Sequence, residues 1–283
     1  MTLWNNTSER LFVTDFDGTL LRSDGSFSQK DLDALESLEQ RGVKTAIATG
    51  RSLYSFEHSA GADLRVDYLI FSLGAGVVRL SDRKLLYQKN LSAEMVKRGL
   101  DFMSHSTFDF MLHHPVPENH RYVYRRVNGQ NTDFEERIER YREFGKTLDS
   151  MTPNKFGEAA QFLAVVPQNE TDDALKSLRT GLPELSVIRS TSPLDHKSGW
   201  IEFFHPEVSK SKTAAWLASR LDIDHGNIMA IGNDYNDLDL LEWAPRSFVV
   251  ENAPADLKSR FQQVASNDNG GVAEAVEYWL STS

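Results

Sequence analysis

The sequence predicts an α/β protein in which a Rossmann-like core with a parallel sheet is interrupted by an inserted α+β domain. Short apolar runs alternate with amphipathic helical patterns at both ends of the chain, which is typical of a parallel sheet covered by helices. In the middle of the chain, strand-like pieces alternate with polar helices instead. These observations predict one domain built from residues 1–84 and 206–283, with residues 85–205 inserted as a second domain.

Each element of this prediction depends on a local pattern. Apolar runs predict core strands at Leu11–Thr14, 43–48, Tyr68–Phe71, 227–231 and 248–250. Residues 28–31 resemble a capping box before a helix that ends at Gly42. Further core helices are predicted at 209–221, Leu238–Trp243 and 272–280. In the insertion, strands are expected at Gln161–Val166 and 200–204, and a charged helix at 133–148.

The composition and net charge of the chain exclude or disfavour several classes of partner and of chemistry. The chain has 283 residues, of which 40% are hydrophobic and 25% charged, and its formal net charge is −10. The acidic balance disfavours nucleic acid and anionic membranes as partners. The absence of cysteine excludes disulfides, thiolate catalysis and cysteine-ligated zinc. The sequence has neither a secretory signal pattern nor an apolar run of about 20 residues, so we expect a cytoplasmic protein that does not enter the membrane.

Polar clusters directly follow three of the predicted core strands. They are Asp15-Phe16-Asp17-Gly18-Thr19, Thr49-Gly50-Arg51 and Gly232-Asn233-Asp234-Tyr235-Asn236-Asp237. Each cluster alone could be an ordinary turn, because Asp, Asn and Gly are common turn residues. Ligands of parallel α/β sheets bind at the carboxyl ends of the strands, so three such clusters together favour one shared crevice.

With Lys210 in the segment Val208-Ser209-Lys210-Ser211-Lys212, these clusters resemble the four ordered motifs of the haloacid dehalogenase-like hydrolase superfamily. The resemblance is to Cof-type phosphatases with a large inserted cap, and it covers the whole chain. Lys212 competes with Lys210 but fits the third motif less well. The fourth motif departs from the usual Gly-Asp-x-x-Asn-Asp, because Asn233 stands at the first Asp position with Asp234 beside it.

A magnesium ion is the expected cofactor. Up to four carboxylates would share the crevice, and like charges at that distance cannot all stay ionised without a cation. Carboxylate oxygens together with bound waters suit Mg²⁺. The candidate metal ligands are Asp15, Asp17, Asn233, Asp234 and Asp237. Whether Asn233 or Asp234 supplies the ligand of the fourth motif is left open.

The resemblance implies hydrolysis of a small phosphorylated metabolite, such as a sugar phosphate, in two steps. Asp15 would attack phosphorus and form an aspartyl phosphate, and Asp17 would serve as the general acid and then the general base. Lys210, near a helix start, would neutralise the phosphoryl group. The candidate phosphate-binding residues are Thr49, Gly50, Lys210 and Asn236. Two rival interpretations are a sugar phosphomutase and a phosphate-binding protein that has lost turnover.

The inserted domain would act as a lid that selects the substrate. Residues 113–126 are rich in His, Arg and Tyr, which suit a hydroxylated or anionic leaving group. The candidate substrate contacts are His114, Arg121 and Arg125. An ordinary polar hairpin is the alternative interpretation of this segment.

Overall fold

The computed structural model describes residues 9–59, 64–127, 131–148 and 156–281. The chain divides into two compact units. Unit 1 comprises Met1–Gly50, Ser59–Leu86 and Lys210–Ser283, and unit 2 comprises Arg51–His58 and Tyr87–Ser209. Unit 2 thus differs from the expected insertion by including the short segment Arg51–His58, which directly follows the Thr-Gly-Arg cluster.

The described elements alternate along the chain as follows. The helices are α1 (Gln29–Gln40), α2 (Leu53–Glu57), α3 (Ala93–Ser104), α4 (Thr132–Arg140), α5 (Thr171–Gly181), α6 (Lys210–Arg220), α7 (Leu238–Trp243), α8 (Ala255–Lys258) and α9 (Gly271–Ser281). The strands are β1 (Leu11–Thr14), β2 (Lys44–Ala48), β3 (Tyr68–Phe71), β4 (Gly76–Arg79), β5 (Lys84–Gln88), β6 (Asp109–His113), β7 (Tyr122–Arg125), β8 (Gly145–Thr147), β9 (Gln161–Val166), β10 (Ser186–Thr191), β11 (Gly199–Phe204), β12 (Ile228–Gly232), β13 (Arg246–Val250) and β14 (Gln262–Val264). Among these helices, none is both long and apolar enough to cross a membrane.

Unit 1 is built on a sheet with the strand order β14-β13-β12-β1-β2-β3-β4-β5. The six strands from β14 to β3 run parallel, and β4 returns antiparallel to β3. Leu11, Phe12 and Val13 are fully buried, as expected for a central strand covered on both faces. This arrangement confirms the predicted α/β fold with a parallel-sheet core.

The central position of β1 brings distant parts of the chain together. Leu11 pairs with Ile228 of β12 on one side and with Lys44 of β2 on the other. Because the three strands run parallel, their carboxyl ends lie side by side at one edge of the sheet. The polar clusters that follow β1, β2 and β12 therefore start from neighbouring positions.

Unit 2 contains a second sheet with the order β10-β11-β9-β6-β7-β8. Its pairs are antiparallel except for β7 and β8. One face, with Phe110, Phe162 and Phe203, packs in a cluster with residues of α3 and α5. The opposite face carries Met111, Leu163 and Trp200, which pack with Phe134 and Ile138 of α4. We call this opposite face the α4 face.

Two local predictions are wrong. The charged helix expected at 133–148 ends at Arg140, and Gly145–Thr147 forms β8 beside β7. A β-carbon at Gly145 would lie 2.7 Å from the Tyr122 ring, so the glycine allows a close pairing that competes with helix continuation. Ser28 precedes α1 but makes no side-chain cap, and the Asp31 carboxylate instead accepts a hydrogen bond from the Ala273 backbone amide.

Candidate active site

Asp15 lies at the point where β1 ends. Its backbone amide donates to the Ile231 carbonyl oxygen at 2.9 Å, which continues the pairing of β1 with β12 for one more residue. The residue is only 4% exposed, and its two carboxylate oxygens have different partners. Oδ1 accepts from Lys210 Nζ at 2.7 Å and Oδ2 accepts from the Thr19 hydroxyl at 3.0 Å.

Lys210 is the first residue of α6, and its ammonium group is completely buried. It donates to Asp15 Oδ1, to Asp237 Oδ1 at 2.5 Å and to Asn236 Oδ1 at 3.2 Å. Burial alone would lower the pKa of Lys210, but the two carboxylates hold this pKa above its usual value. The site therefore contains a permanent buried positive charge, although the chain as a whole is acidic.

The start of α6, and with it Lys210, is held by two hydrogen-bonded contacts. Asp239 Oδ2 accepts from the Ser211 backbone amide at 3.0 Å and from its hydroxyl at 2.6 Å. The Thr213 hydroxyl donates to the Gly74 carbonyl oxygen at 2.8 Å. Sequence reasoning did not find Asp239 or Thr213, because neither belongs to a recognisable pattern.

Asp237 is fully buried and turns back onto the end of β12. Its Oδ2 accepts from the backbone amides of Asn233 at 2.8 Å and Asp234 at 3.1 Å. A β-carbon at position 232 would lie 2.5 Å from the Asp237 side chain, so only glycine fits there. With Oδ1 bound to Lys210, both oxygens of this carboxylate are engaged within the protein.

Asp234 has a structural partner as well. It precedes the turn Tyr235–Asp237, where its side chain accepts from the Asp237 backbone amide and the Asp237 side chain accepts in return. This is a reciprocal capping box. Of the carboxylates expected around a metal ion, those of Asp234 and Asp237 are therefore engaged with the backbone of this turn and with Lys210. Among the described residues no three acidic or histidine side chains form a metal cage.

A different set of oxygens does converge. The outer end of the Asn233 amide lies 3.0 Å from Asp15 Oδ2, 3.1 Å from the Asp17 carbonyl oxygen and 3.2 Å from the Thr19 hydroxyl. Neighbouring ligands of an octahedral Mg²⁺, at about 2.0–2.1 Å from the ion, are about 3.0 Å apart. The Asp15 carboxylate, the Asp17 carbonyl and the Asn233 amide thus have the chemistry that a magnesium site needs, and the amide lies at a suitable spacing from the other two.

The ionisation of Asp15 also indicates whether the site suits a cation. Burial, followed by the negative charge of Asp237, raises the pKa of Asp15 to about 7 against the opposing effect of Lys210. A divalent cation beside Oδ2 would favour the ionised carboxylate. The residues present therefore fit a bound Mg²⁺.

The other expected residues of unit 1 lie at the same edge of the sheet. Thr49 is fully buried at the end of β2, where its backbone amide donates to the Ile70 carbonyl oxygen. Gly50 follows it and is exposed. Asp17 is partly buried in the loop after β1. The positive φ of 74° at Gly18 turns this loop, and Asn252 donates to the Gly18 carbonyl oxygen at 2.8 Å. The sequence pattern included Thr19 in the first cluster without giving it a role, and it did not indicate Asn252.

The structure brings together two of the three expected substrate contacts of the insertion, His114 and Arg121, and places Arg125 elsewhere on the sheet. The His114 backbone amide donates to the Arg121 carbonyl oxygen, which closes the β6–β7 hairpin. The Arg121 side chain is 61% exposed and pairs with Glu118 at 3.4 Å. Arg125 pairs in register with Phe110, on the face opposite the α4 face, and reaches the Ser104 carbonyl oxygen.

Buried polar side chains lie instead on the α4 face. His113 and Gln161 are cross-strand neighbours, each 4% exposed, and Gln161 Nε2 donates to Glu202 Oε1 at 2.6 Å. We call His113, Gln161 and Glu202 the polar row. The guanidinium of Arg137 lies beside them, 4.3 Å from the centre of the Trp200 ring. The signal that could have found Glu202 is a charge inside an otherwise apolar run.

The polar row has unused hydrogen-bonding capacity. Burial, aided by the positive charge of Arg137, lowers the pKa of His113 to about 3, so the ring is neutral. Its Nδ1 lies 2.8 Å from the Asn119 carbonyl oxygen and must carry the proton, which leaves Nε2 as an acceptor. His113 Nε2, Gln161 Oε1 and Arg137 Nε are buried and have no hydrogen-bond partner within the described part of the chain.

Comparisons with known proteins identify the family of this chain. The family model described as haloacid dehalogenase-like hydrolase matches residues 12–276. A relative from Streptococcus pyogenes, which carries the name of a phosphatase, is 26% identical over 280 residues, or 96% of this chain and 99% of that one.

Two solved structures share the fold. A phosphatase of this superfamily from Bacteroides thetaiotaomicron superposes with a TM-score of 0.79 at 20% identity, covering 99% of this chain and 98% of that one. A sugar phosphatase of subclass IIB superposes with a TM-score of 0.74 at 19% identity, covering 95% and 98% of the two chains.

Proposed function

Because the chain belongs to the haloacid dehalogenase-like hydrolase family, we propose that it is a Mg²⁺-dependent phosphatase that hydrolyses small phosphorylated metabolites through an aspartyl phosphate on Asp15. The observation that carries this proposal is the buried contact of Asp15 with Lys210 at the end of the central strand, 2.7 Å in length. A nucleophilic carboxylate beside a fixed positive charge is the pairing that phosphoryl transfer to a side chain requires.

Each residue has a defined task in the proposed reaction. Asp15 Oδ2 belongs to the candidate metal set, so Oδ1 is the oxygen that attacks phosphorus. Lys210 holds the negative charge of the phosphoryl oxygens, and Thr49, Gly50 and Asn236 complete its binding site. Asp17 donates a proton to the leaving alkoxide and then removes one from the water that hydrolyses the intermediate.

The magnesium ion would be held by Asp15 Oδ2, the Asp17 carbonyl oxygen and Asn233 Oδ1. When bound, it supplies positive charge that offsets the repulsion between the Asp15 carboxylate and a phosphate dianion. Asp234 and Asp237 contribute indirectly, because one caps the turn after β12 and the other orients Lys210.

Within this class we propose a neutral, hydroxylated leaving group such as a sugar. A sugar phosphatase with the same fold supports this proposal. Within unit 2, the unused acceptors His113 Nε2 and Gln161 Oε1 match hydroxyl donors in hydrogen-bonding character. The Glu202 carboxylate beside them disfavours a second phosphate or a carboxylate on the substrate. This choice of residues replaces His114, Arg121 and Arg125.

The test of the reaction is release of inorganic phosphate from sugar phosphates, nucleotides and p-nitrophenyl phosphate in the presence of Mg²⁺. Asp15→Asn should abolish release from every substrate without lowering the unfolding temperature. Asp33→Asn, which neutralises an exposed carboxylate of α1, serves as the matched control and should keep full activity. Phosphate release that survives in Asp15→Asn would overturn the mechanism.

The same assay separates the two rival functions. A phosphomutase converts a sugar phosphate into its isomer, needs a bisphosphate activator and releases little phosphate. A phosphate-binding protein without turnover would bind the ligand and give neither product. The presence of both Asp15 and Asp17 supports turnover, because a nucleophile and a proton donor are the two groups that such a protein would have lost.

A further inference from the structure

The side chain of Asn233 has two usable orientations. In one orientation its Nδ2 donates to Asp15 Oδ2, the Asp17 carbonyl oxygen and the Thr19 hydroxyl at 3.0–3.2 Å. In the other its Oδ1 occupies that place and accepts from the Thr19 hydroxyl at 3.2 Å. An amide can exchange these orientations by a half-turn about its last torsion, which has two nearly equivalent wells.

Hydrogen bonding decides between the orientations when no cation is bound. With Oδ1 inward, this oxygen would lie 3.0 Å from Asp15 Oδ2 and 3.1 Å from the Asp17 carbonyl oxygen, two acceptors that have no proton to offer it. Its one donor among these three neighbours would be the Thr19 hydroxyl, which also donates to Asp15 Oδ2. Acceptors that face each other without a proton between them repel each other, so the metal-free site favours Nδ2 inward. With a cation bound the preference reverses, because the amide NH₂ has no lone pair for a metal and its positive side repels it.

The surroundings of Asn233 hold the amide at this place. A β-carbon at Gly18 would lie 2.6 Å from the Asn233 amide, so the glycine turn packs directly against it. The backbone of Asn233 is fixed by its amide, which donates to Asp237 Oδ2 at 2.8 Å. The side chain can therefore turn over about its own axis while its outer end remains beside the same oxygens.

We propose that the Asn233 amide takes the place of the cation in the metal-free protein and turns over to become a ligand when Mg²⁺ binds. The Nδ2 group then holds Asp15 Oδ2 and the Asp17 carbonyl oxygen together before the ion arrives. An aspartate at this position could not do so, because an ionised carboxylate has no proton to donate. This inference rests on the proposed magnesium site. It means that the site is already organised without metal and binds Mg²⁺ less tightly than a site with a carboxylate at this position would.

Asn233→Asp tests this inference without an activity assay. In EDTA the variant should unfold at a temperature several degrees below that of the wild-type protein, because a carboxylate replaces the donor. Calorimetry should show Mg²⁺ binding about tenfold tighter or more, since the added charge attracts the ion and no internal hydrogen bonds are lost. The rise in unfolding temperature on adding Mg²⁺ should accordingly be larger for the variant.

Asn269→Asp is the matched control, because it makes the same chemical change at an exposed turn of unit 1. It should behave as the wild-type protein in EDTA and in Mg²⁺. If Asn233→Asp is as stable as the wild type in EDTA and binds Mg²⁺ no more tightly, the inference is wrong. A wild-type protein that shows no Mg²⁺ binding at all would instead overturn the proposed metal site itself.

A second measurement covers the case in which Asn233→Asp does not fold. The side-chain NH₂ signal of Asn233 is assigned by comparing ¹⁵N-labelled wild-type protein with Asn233→Leu, in which this signal is missing. In EDTA this signal should show slowed hydrogen exchange, and Mg²⁺ should shift it and remove the protection. A signal that is equally protected with and without bound Mg²⁺ would contradict a turn of the amide.

Discussion

At the scale of single residues, the role of Asp17 can be tested by comparing substrates with different leaving groups. A sugar alkoxide is a poor leaving group and needs a proton as the ester bond breaks, whereas p-nitrophenolate leaves without one. Asp17→Asn should therefore slow the first step roughly 10²–10⁴-fold for a sugar phosphate, the usual range for general acid catalysis, and much less for p-nitrophenyl phosphate. Single-turnover measurements separate this step from hydrolysis of the intermediate.

Asp17→Asn leaves the backbone carbonyl of residue 17 in place, so Mg²⁺ binding should be retained. Calorimetric titration of the variant with Mg²⁺ is the control for this point. An equal loss of rate for both leaving groups would count against proton donation by Asp17. It would favour a role in shaping the loop that Gly18 turns.

The sequence located the residues of the candidate site better than it assigned their roles. Asp15 and Asp237 come close together, as expected from clusters at neighbouring strand ends, and Lys210, expected from the third motif, contacts both. The different roles of Asn233 and Asp234 in the fourth motif could not be predicted, because they depend on which side-chain oxygens already accept hydrogen bonds from the backbone. Asp234 faces the amide of Asp237, whereas Asn233 faces Asp15, and only three-dimensional geometry distinguishes these two neighbours.

At the scale of elements, the α4 face of the second sheet gives a prediction about selectivity. Gln161→Leu keeps the size of the side chain and removes the acceptor Oε1, so kcat/KM for the preferred sugar phosphate should fall about tenfold, the value of one or two hydrogen bonds. Turnover of p-nitrophenyl phosphate should change little. Steady-state kinetics with both substrates gives the ratio.

Arg125→Ala is the matched control for Gln161→Leu, because Arg125 belongs to the same sheet but pairs with Phe110 of the other face. It should leave the ranking of substrates unchanged. If Gln161→Leu keeps the wild-type ranking of substrates, or if only Arg125→Ala changes it, the polar row does not select the substrate. Equal losses on both substrates would indicate general damage to the protein.

The elements themselves show which sequence signals are reliable. Five parallel strands of unit 1, β1, β2, β3, β12 and β13, were predicted to within about two residues, because a parallel strand covered on both faces is a continuous apolar run. The strands β4, β5 and β14 were missed. The helix predicted at 133–148 was too long, because charge density does not mark where a helix ends. Residues 145–147 are polar, yet they form β8 because β7 offers them an unpaired edge, which no local pattern records.

At the scale of the whole molecule, unit 1 is assembled from segments that are far apart in the sequence. Asp15 and Lys210 are separated by 195 residues, and β1 lies between β2 and β12. Asp31 makes another such contact. Its Oδ1 accepts from the Ala273 backbone amide at 2.8 Å, so a carboxylate of the first helix lies at the N-terminus of the last one.

The ionised form of the buried Asp31 carboxylate destabilises the folded protein at neutral pH. Asp31 is fully buried, its Oδ2 has no hydrogen-bond partner in the described structure, and burial raises its pKa from 3.8 to about 6. The folded protein therefore binds a proton more tightly here than the unfolded chain does. Its contribution to stability is fully present below pH 4 and is lost as the pH rises through 6.

Replacing Asp31 by Asn removes this titration and keeps an oxygen that can accept from Ala273. The free energy of unfolding of the wild type should therefore fall relative to that of Asp31→Asn between about pH 3.5 and 7, by up to about 2–3 kcal/mol for a shift of roughly two pKa units. Urea unfolding of both proteins across this range measures the difference. Asp33→Asn makes the same chemical change at an exposed position of the same helix and is the matched control. A pH-independent difference for Asp31→Asn would mean that water or a nearby cation already compensates the buried carboxylate.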